Sequence, residues 1–198
     1  MNLEIEKIRN IAIYLAEKIP NLYITKFLKL FYYLDFIAVQ EVGNPVTNDT
    51  YFALPYGPIP SFIKDQISML DDAQRVAEAA LMKDPTTEVA LYNGAGIFEN
   101  YIKLEKNDGI IVKPIKEFDP TKLSGYEKKL LDDIIETFRD MSVKDIVIKT
   151  HTEPPYAQTA SNNIIDYRMA FQMNIKDILP KRDFEFDKEI SQATFNAG

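Results

Sequence analysis

Residues 24–63 read ITKFLKLFYYLDFIAVQEVGNPVTNDTYFALPYGPIPSFI, and the fold is predicted from this stretch. Its first half belongs to a predicted helix at residues 22–42 that is apolar on nearly every side, apart from Asp35 on the apolar side. Such a helix is either central to a fold or covered by a partner. Gly43 suits the left-handed residue that ends a helix, and Pro45 prevents its continuation.

The second half of the stretch predicts short extended segments. An Asn-Asp turn signal lies within residues 46–54, and extended residues flank it, which predicts a short hairpin or β-arm. Residues 55–60 carry three prolines and Gly57, so we expect an irregular loop. Pro58 or Pro60 suits the first turn of the next helix, which should end near residue 70.

The rest of the chain is mostly helical by pattern. A first helix is predicted at residues 3–18, and two short outer helices or an insertion at residues 71–92. Residues 98–114 predict a hairpin around an Asp-Gly turn. Later helices are predicted after a capping box of Ser124 and Glu127, after Ser142, and at residues 164–173.

These elements predict a mainly α (α+β) class: a compact orthogonal helical bundle around a central hydrophobic helix, with one or two small β-hairpins. At 198 residues the chain suits one domain at residues 1–179. Residues 180–198 look like a C-terminal tail, with Phe184, Phe186 and Phe195 as anchors.

Composition excludes several functional classes. A chain without cysteine has no thiolate metal site or cysteine nucleophile, and one histidine cannot build a histidine-rich metal site. We therefore expect neither a metal nor a cofactor. The net charge of −7 argues against direct nucleic-acid binding, and suits either a basic protein partner or solubility alone. Without a signal-peptide pattern or a long apolar run, we expect a cytoplasmic protein that does not bind membranes.

Asp35 and His151 are the candidates for chemistry. A buried carboxylate needs partners, so Asp35 is either a general base or an acceptor for backbone N–H groups of the Tyr56-Gly57-Pro58 loop. We favour the second interpretation. Prolines deprive that loop of internal N–H donors, so its remaining N–H groups need acceptors from elsewhere. His151 at a helix end more often bonds terminal carbonyls than acts in catalysis.

A partner-binding surface is predicted on the polar side of the central helix and in the segments that follow it. Tyrosine and phenylalanine are enriched at protein interfaces. Tyr33 and Phe36 share the side of the central helix that holds its lysines. The predicted partner-binding residues are Lys26, Lys29, Tyr33, Phe36, Ile37, Tyr51 and Tyr56.

Several motifs, taken in order, resemble those of the Panacea domain of SocA-like antitoxins. They are Lys29-Leu30-Phe31-Tyr32-Tyr33-Leu34-Asp35, Gly43-Asn44-Pro45-Val46-Thr47 and Tyr56-Gly57-Pro58-Ile59-Pro60. Further on, LSGYEKKLLDDII resembles the family's Leu-Ser-x-x-Glu helix. THTEPPY, which contains His151, resembles its Thr-His element, with tyrosine where the family usually has tryptophan. The resemblance runs from about residue 3 to residue 171.

The resemblance implies a mostly helical, non-enzymatic antitoxin that neutralises its cognate toxin by direct contact, in a bacterial or phage toxin–antitoxin system. It implies a translation-inhibiting toxin among the possible partners, for example a small alarmone-synthetase-like enzyme. A proteolytic adaptor that delivers the toxin to a AAA+ protease is an alternative. A hydrolase using Asp35 and His151 is a further one, and it requires the two side chains to meet in a pocket.

Overall fold

The structure is a computed structural model that describes residues 3–84 and 96–182. In these residues helices dominate, and the strands form two small antiparallel sheets of two strands each. The predicted mainly α, α+β class is therefore confirmed. The helices are α1 (Leu3–Lys18), α2 (Ile24–Val42), α3 (Ser61–Lys83), α4 (Gly125–Phe138), α5 (Val143–Thr152), α6 (Pro154–Ala157) and α7 (Ile175–Ile178), with 3-10 helices at Pro120–Lys122 and Tyr167–Gln172. The strands are β1 (Tyr51–Leu54), β2 (Gly57–Pro60), β3 (Ile102–Asn107) and β4 (Gly109–Pro114).

Helix α2 is the centre of the fold. Its side chains from Lys26 to Val39 are all buried, and α4, α5, β2, β4 and the second 3-10 helix pack around it. The helix ends at Gly43, whose φ of 80° is left-handed and whose N–H donates to the carbonyl of Val39 over 3.0 Å. The prediction of a central apolar helix that ends at Gly43 is confirmed.

The segment predicted as an irregular loop contains strand β2, which pairs with β1 across a turn at Pro55 and Tyr56. N–H groups of an antiparallel strand point alternately toward and away from its partner. The N–H of Ser61 donates to the carbonyl of Thr50 over 2.8 Å, so the two proline positions of β2 are directed away from β1. Proline at these positions removes no hydrogen bond of the ladder, which lets this segment form a strand. The Asn-Asp signal is not the turn of this hairpin.

Helix α3 is longer than predicted. It continues without a break to Lys83, although the pattern indicated an end near residue 70. Its first half is held by four buried side chains, and its second half, rich in strong helix formers, extends over a less buried surface. The rest of the predicted outer segment, residues 85–95, lies outside the described residues.

The C-terminal half follows its predictions more closely. Strands β3 and β4 form the predicted hairpin. The capping box before α4 is present, with Ser124 accepting from the N–H of Glu127 over 3.2 Å and Glu127 accepting from the N–H of Ser124 over 2.8 Å. Ser142 caps α5 as predicted. The last predicted helix is a shorter 3-10 helix, Tyr167–Gln172.

Arg182 ties the end of the described chain to the core. Its buried guanidinium donates to Glu41 on α2 over 2.7 and 2.8 Å, and to Asp133 on α4 over 2.5 Å. Arg182 lies inside the segment predicted as a tail, so at least the start of that segment packs on the domain. The phenylalanines predicted as anchors of the tail lie outside the described residues.

Candidate partner-binding groove

The β1–β2 hairpin presents Tyr56 to solvent. The Tyr56 side chain is 74% exposed, although the hairpin on either side of it packs on α2. Gly57, the next residue, has a φ of +96°, a backbone conformation that side chains rarely adopt. The Tyr56 turn, defined as residues 54–58, therefore carries a large exposed ring on a short and constrained stretch of chain.

Two side chains, the buried Lys29 and the half-buried His151, contact the backbone of the Tyr56 turn. Lys29 on α2 donates from Nζ to the carbonyl of Pro58 over 2.9 Å. The imidazole of His151, at the end of α5, donates a hydrogen bond to the backbone of Tyr56 and stacks on Tyr156 with ring centroids 4.5 Å apart. A Cβ atom on Gly57 would lie 2.7 Å from Lys29 Nζ and 3.1 Å from His151 Cδ2, so both side chains reach the backbone of the turn.

The environment lowers the basicity of both groups. Burial lowers the pKa of Lys29 to about 7, because the ammonium loses its hydration without gaining a carboxylate partner. The pKa of His151 is lowered by burial and by the charge of Lys29, and the hydrogen bond to Tyr56 opposes this effect. Nε2 of His151 is buried and has no hydrogen-bond partner within the described residues, which suits a neutral imidazole.

Asp35 is a structural acceptor, but for a different segment from the one predicted. Its carboxylate accepts from the N–H and hydroxyl of Thr47, from Tyr51 OH over 2.9 Å and from Tyr167 OH over 3.2 Å. The predicted contact with the Tyr56-Gly57-Pro58 loop is wrong, since Lys29 and His151 occupy that side of the loop. Burial raises the pKa of Asp35 to about 6, although these donors act to lower it.

Asp49 is a second buried carboxylate that sequence reasoning missed. It accepts from the N–H groups of Phe62 and Ile63, both over 2.9 Å, and so caps α3 from outside the helix. A signal was present in the sequence: α3 follows Pro60, which has no side-chain acceptor with which to cap a helix.

Most of the predicted partner-binding residues are not on a surface, and the prediction of an exposed side of α2 is wrong. Tyr33 stacks on Phe138 of α4 with ring centroids 4.6 Å apart, and Phe36 lies against Tyr167 at 4.9 Å. The covering elements are distant in sequence, so the pattern of α2 alone could not reveal them. The buried members of the predicted set are Lys26, Lys29, Tyr33, Phe36, Ile37 and Tyr51.

Lys26 shows why a lysine can be buried on this helix. Its Nζ donates to the carbonyls of Arg139 and Met141, over 2.8 and 2.7 Å, just beyond the end of α4. Carbonyls near a helix C-terminus lack partners within the helix, and a cation satisfies them. The polar side of α2 is therefore a set of internal contacts.

A groove lies beside Tyr56, at the N-terminal end of α2. Two adjoining cavities of about 430 and 820 Å³ share Ile24, Thr25 and Ile110 in their walls. The smaller cavity lies between the β1–β2 hairpin, α2 and α3, and the larger continues toward the α4–α5 connection. We call the two together the Tyr56 groove. Apolar side chains that line it are Tyr23, Ile24, Leu28, Leu54, Tyr56, Ile59, Ile67, Ile110, Met141 and Val143.

Asp35 and His151 do not share a site. Asp35 is fully buried among Thr47, Tyr51 and Tyr167, whereas His151 contacts the Tyr56 turn and Tyr156. The hydrolase interpretation required the two side chains to meet in a pocket, and this requirement is not met. In residues 3–84 and 96–182, no group of acidic, histidine or cysteine side chains is arranged to hold a metal ion. Over the same residues, no helix is long and apolar enough to cross a membrane.

The chain matches the family model described as "Antitoxin SocA-like, Panacea domain" over residues 27–156. The matched region begins in α2 and ends in α6, so it contains Asp35, Asp49, the Tyr56 turn and His151. Comparison with curated proteins and with solved structures gave no significant match.

Proposed function

Because the chain belongs to the SocA-like antitoxin family that carries the Panacea domain, we propose that it is a non-enzymatic antitoxin that neutralises a cognate protein toxin by direct contact in the cytoplasm. The family gives a toxin as the partner. The Tyr56 groove is the surface that we assign to the contact.

The observation that carries the assignment is an exposed tyrosine at the edge of an apolar groove. Large aromatic side chains are enriched among the residues that contribute most to protein–protein binding, and they act best on a preformed surface. The backbone at Tyr56 is held by the contacts of Lys29 and His151, so less backbone entropy is lost when a partner covers the ring. The lining of the groove supplies further apolar area around this anchor.

Co-expression tests the function. The candidate toxins are the products of neighbouring genes, each expressed with and without this chain, and growth is measured. We expect one of them to arrest growth and this chain to restore it. If none is toxic, or if the chain does not rescue growth, the proposed function is wrong. Toxin half-life measured in the same cells separates simple blocking, which leaves it unchanged, from delivery to a protease, which shortens it.

Tyr56→Ala tests the surface. We expect it to raise the Kd for the toxin by about 30-fold, the loss typical of an aromatic residue central to an interface. The matched control is Phe171→Ala, because Phe171 is also an exposed aromatic residue, at 60%, but belongs to the second 3-10 helix and not to the groove lining. Equal effects of the two substitutions on the Kd, measured by calorimetry, would exclude the Tyr56 groove as the contact surface.

A further inference from the structure

The Tyr56 turn has few backbone hydrogen bonds of its own to fix its position. The β1–β2 sheet has two strands of four residues. The other edge of β1 bonds residues 162–165, whereas the other edge of β2 has no backbone partner within the described residues. Two of the four residues of β2 are prolines, which have no N–H to donate. The carbonyl of Pro58 belongs to a position directed away from β1, so its partner must come from elsewhere. Lys29 is that partner.

Lys29 and His151 contact the backbone on either side of Gly57. Lys29 binds the carbonyl that follows Gly57, and His151 binds the backbone of the residue that precedes it. Tyr156, on which His151 stacks, donates from its hydroxyl to the carbonyl of Leu54 over 2.9 Å. The turn is thus fixed on both sides of Tyr56, and rotation of the turn would break all three contacts.

Burying a lysine side chain in a protein core costs free energy. Removing an ammonium from water costs several kcal/mol, whereas a methionine of similar length would pack without this penalty. Packing alone therefore does not account for Lys29. Its ammonium supplies the one property that methionine lacks, a donor for the backbone of the turn.

We propose that Lys29 and His151 are positioning residues for partner recognition, which fix the direction in which Tyr56 stands at the Tyr56 groove. The inference rests on the proposed function, because it gives Lys29 and His151 a role in toxin binding. They do not contact the partner themselves. They lower the entropy that the turn would otherwise lose when the partner binds.

The first experiment measures the free protein and needs no toxin. Amide hydrogen exchange is followed in peptides covering residues 51–60, in the full chain and in two variants, Lys29→Met and His151→Phe. The second variant keeps an aromatic ring against Tyr156 but loses the hydrogen bond to the turn. We expect exchange in this segment to become about tenfold faster in both variants.

The control for this measurement is Lys26→Met. It makes the same chemical change at a second buried lysine of α2, whose ammonium binds carbonyls beyond α4 and does not touch the turn. We expect it to leave exchange at residues 51–60 unchanged. If Lys29→Met and His151→Phe also leave it unchanged, or if all three variants raise it equally, the proposed positioning role is wrong.

The second experiment is a double-mutant cycle on toxin binding. In the wild-type background we expect His151→Phe and Lys29→Met each to raise the Kd by about tenfold, and in the Tyr56→Ala background by less than about twofold. A general loss of stability would weaken binding equally in both backgrounds, and that result would overturn the inference. If the wild-type chain binds no toxin, the proposed function itself fails, and the exchange measurement still decides whether the two residues hold the turn.

Discussion

Asp35→Asn should change the stability of the protein in a pH-dependent way with an unusual sign. Burial raises the pKa of the Asp35 carboxyl from the ordinary 3.8 to about 6, because hydrogen bonds from Thr47, Tyr51 and Tyr167 do not fully replace its lost hydration. A raised pKa in the folded state means that the folded protein binds the proton more tightly than the unfolded chain does. The resulting stabilisation is complete below pH 3.8 and is lost as the pH rises through 6.

The magnitude follows from the size of the shift. About two pKa units correspond to about 3 kcal/mol, of which about 2 kcal/mol falls between pH 4.5 and pH 7.5. Asparagine keeps the shape of Asp35 but does not titrate, and its amide group faces a buried donor, so the variant is destabilised by about 1–3 kcal/mol at neutral pH. We expect the difference in the free energy of unfolding between wild type and Asp35→Asn to grow by about 2 kcal/mol when the pH is lowered from 7.5 to 4.5.

Urea denaturation followed by circular dichroism at several pH values measures this difference. The control is Asp119→Asn, since the pKa of the exposed Asp119 is lowered by hydrogen bonds from Thr121. Its stabilising contribution is lost as the pH falls, so the difference for Asp119→Asn should shrink at acid pH. If the difference for Asp35→Asn also shrinks, or stays constant, then the donors around Asp35 outweigh its burial and the reasoning is refuted.

Three further results are expected. Tyr33→Ala should lower the free energy of unfolding by about 3–5 kcal/mol in urea denaturation, because it removes the ring that stacks on Phe138. The control is Tyr33→Phe, which removes a hydroxyl without a hydrogen-bond partner in the described residues and should not lower the free energy of unfolding. Ser124→Ala should cost about 1 kcal/mol through loss of the cap on α4, and a melting temperature equal to that of the wild type would contradict the role of the capping box. Burial lowers the pKa of Lys29 from the ordinary 10.5 to about 7, so stability that is complete above pH 10.5 is lost as the pH falls toward 7. Relative to Lys29→Met, the wild type should gain about 3.5 kcal/mol in free energy of unfolding between pH 7 and pH 10, and parallel pH profiles would exclude this shift.

Local features of the fold are readable in the sequence because their causes are local. The end of α2 at Gly43 and the caps at Ser124 and Ser142 depend on residues within one turn of helix. The continuous apolar pattern of α2 also predicts its central position, since such a helix must be covered. The pattern of this one helix does not show which elements cover it.

The errors arise where a residue's environment comes from a distant part of the chain. Lysine is seldom buried, so the sequence predicts Lys26 and Lys29 at a surface, and no local pattern identifies the distant carbonyls that accept from them. Tyr33 and Phe36 are predicted there because they share that side of α2 and because aromatic residues are enriched at interfaces. Asp35 was correctly expected to be a satisfied buried acceptor, but one of its donors, Tyr167, lies far along the chain.

At the Tyr56 turn, partner binding by Tyr56 stays a prediction, and the predicted irregular loop is wrong. Of the predicted partner-binding side chains, Tyr56 alone is exposed in the described structure. The prolines of this segment suggest that a strand is forbidden. Pro58 and Pro60 nevertheless fit the β-ladder because their missing N–H groups fall at positions directed away from β1, which depends on register and not on composition.

Arg182 has a practical consequence for anyone who shortens this chain. Its guanidinium lies between the carboxylates of Glu41 and Asp133, so cutting the chain after Leu179 would remove a buried cation from both at the junction of α2 and α4, and would leave Asp133 with Lys129 of its own helix. Removing one partner of a buried ionic contact commonly costs about 3–5 kcal/mol. A fragment that ends where the hydrophobic pattern ends would therefore melt early, and a loss of toxin binding in such a fragment would report on unfolding rather than on the contact surface.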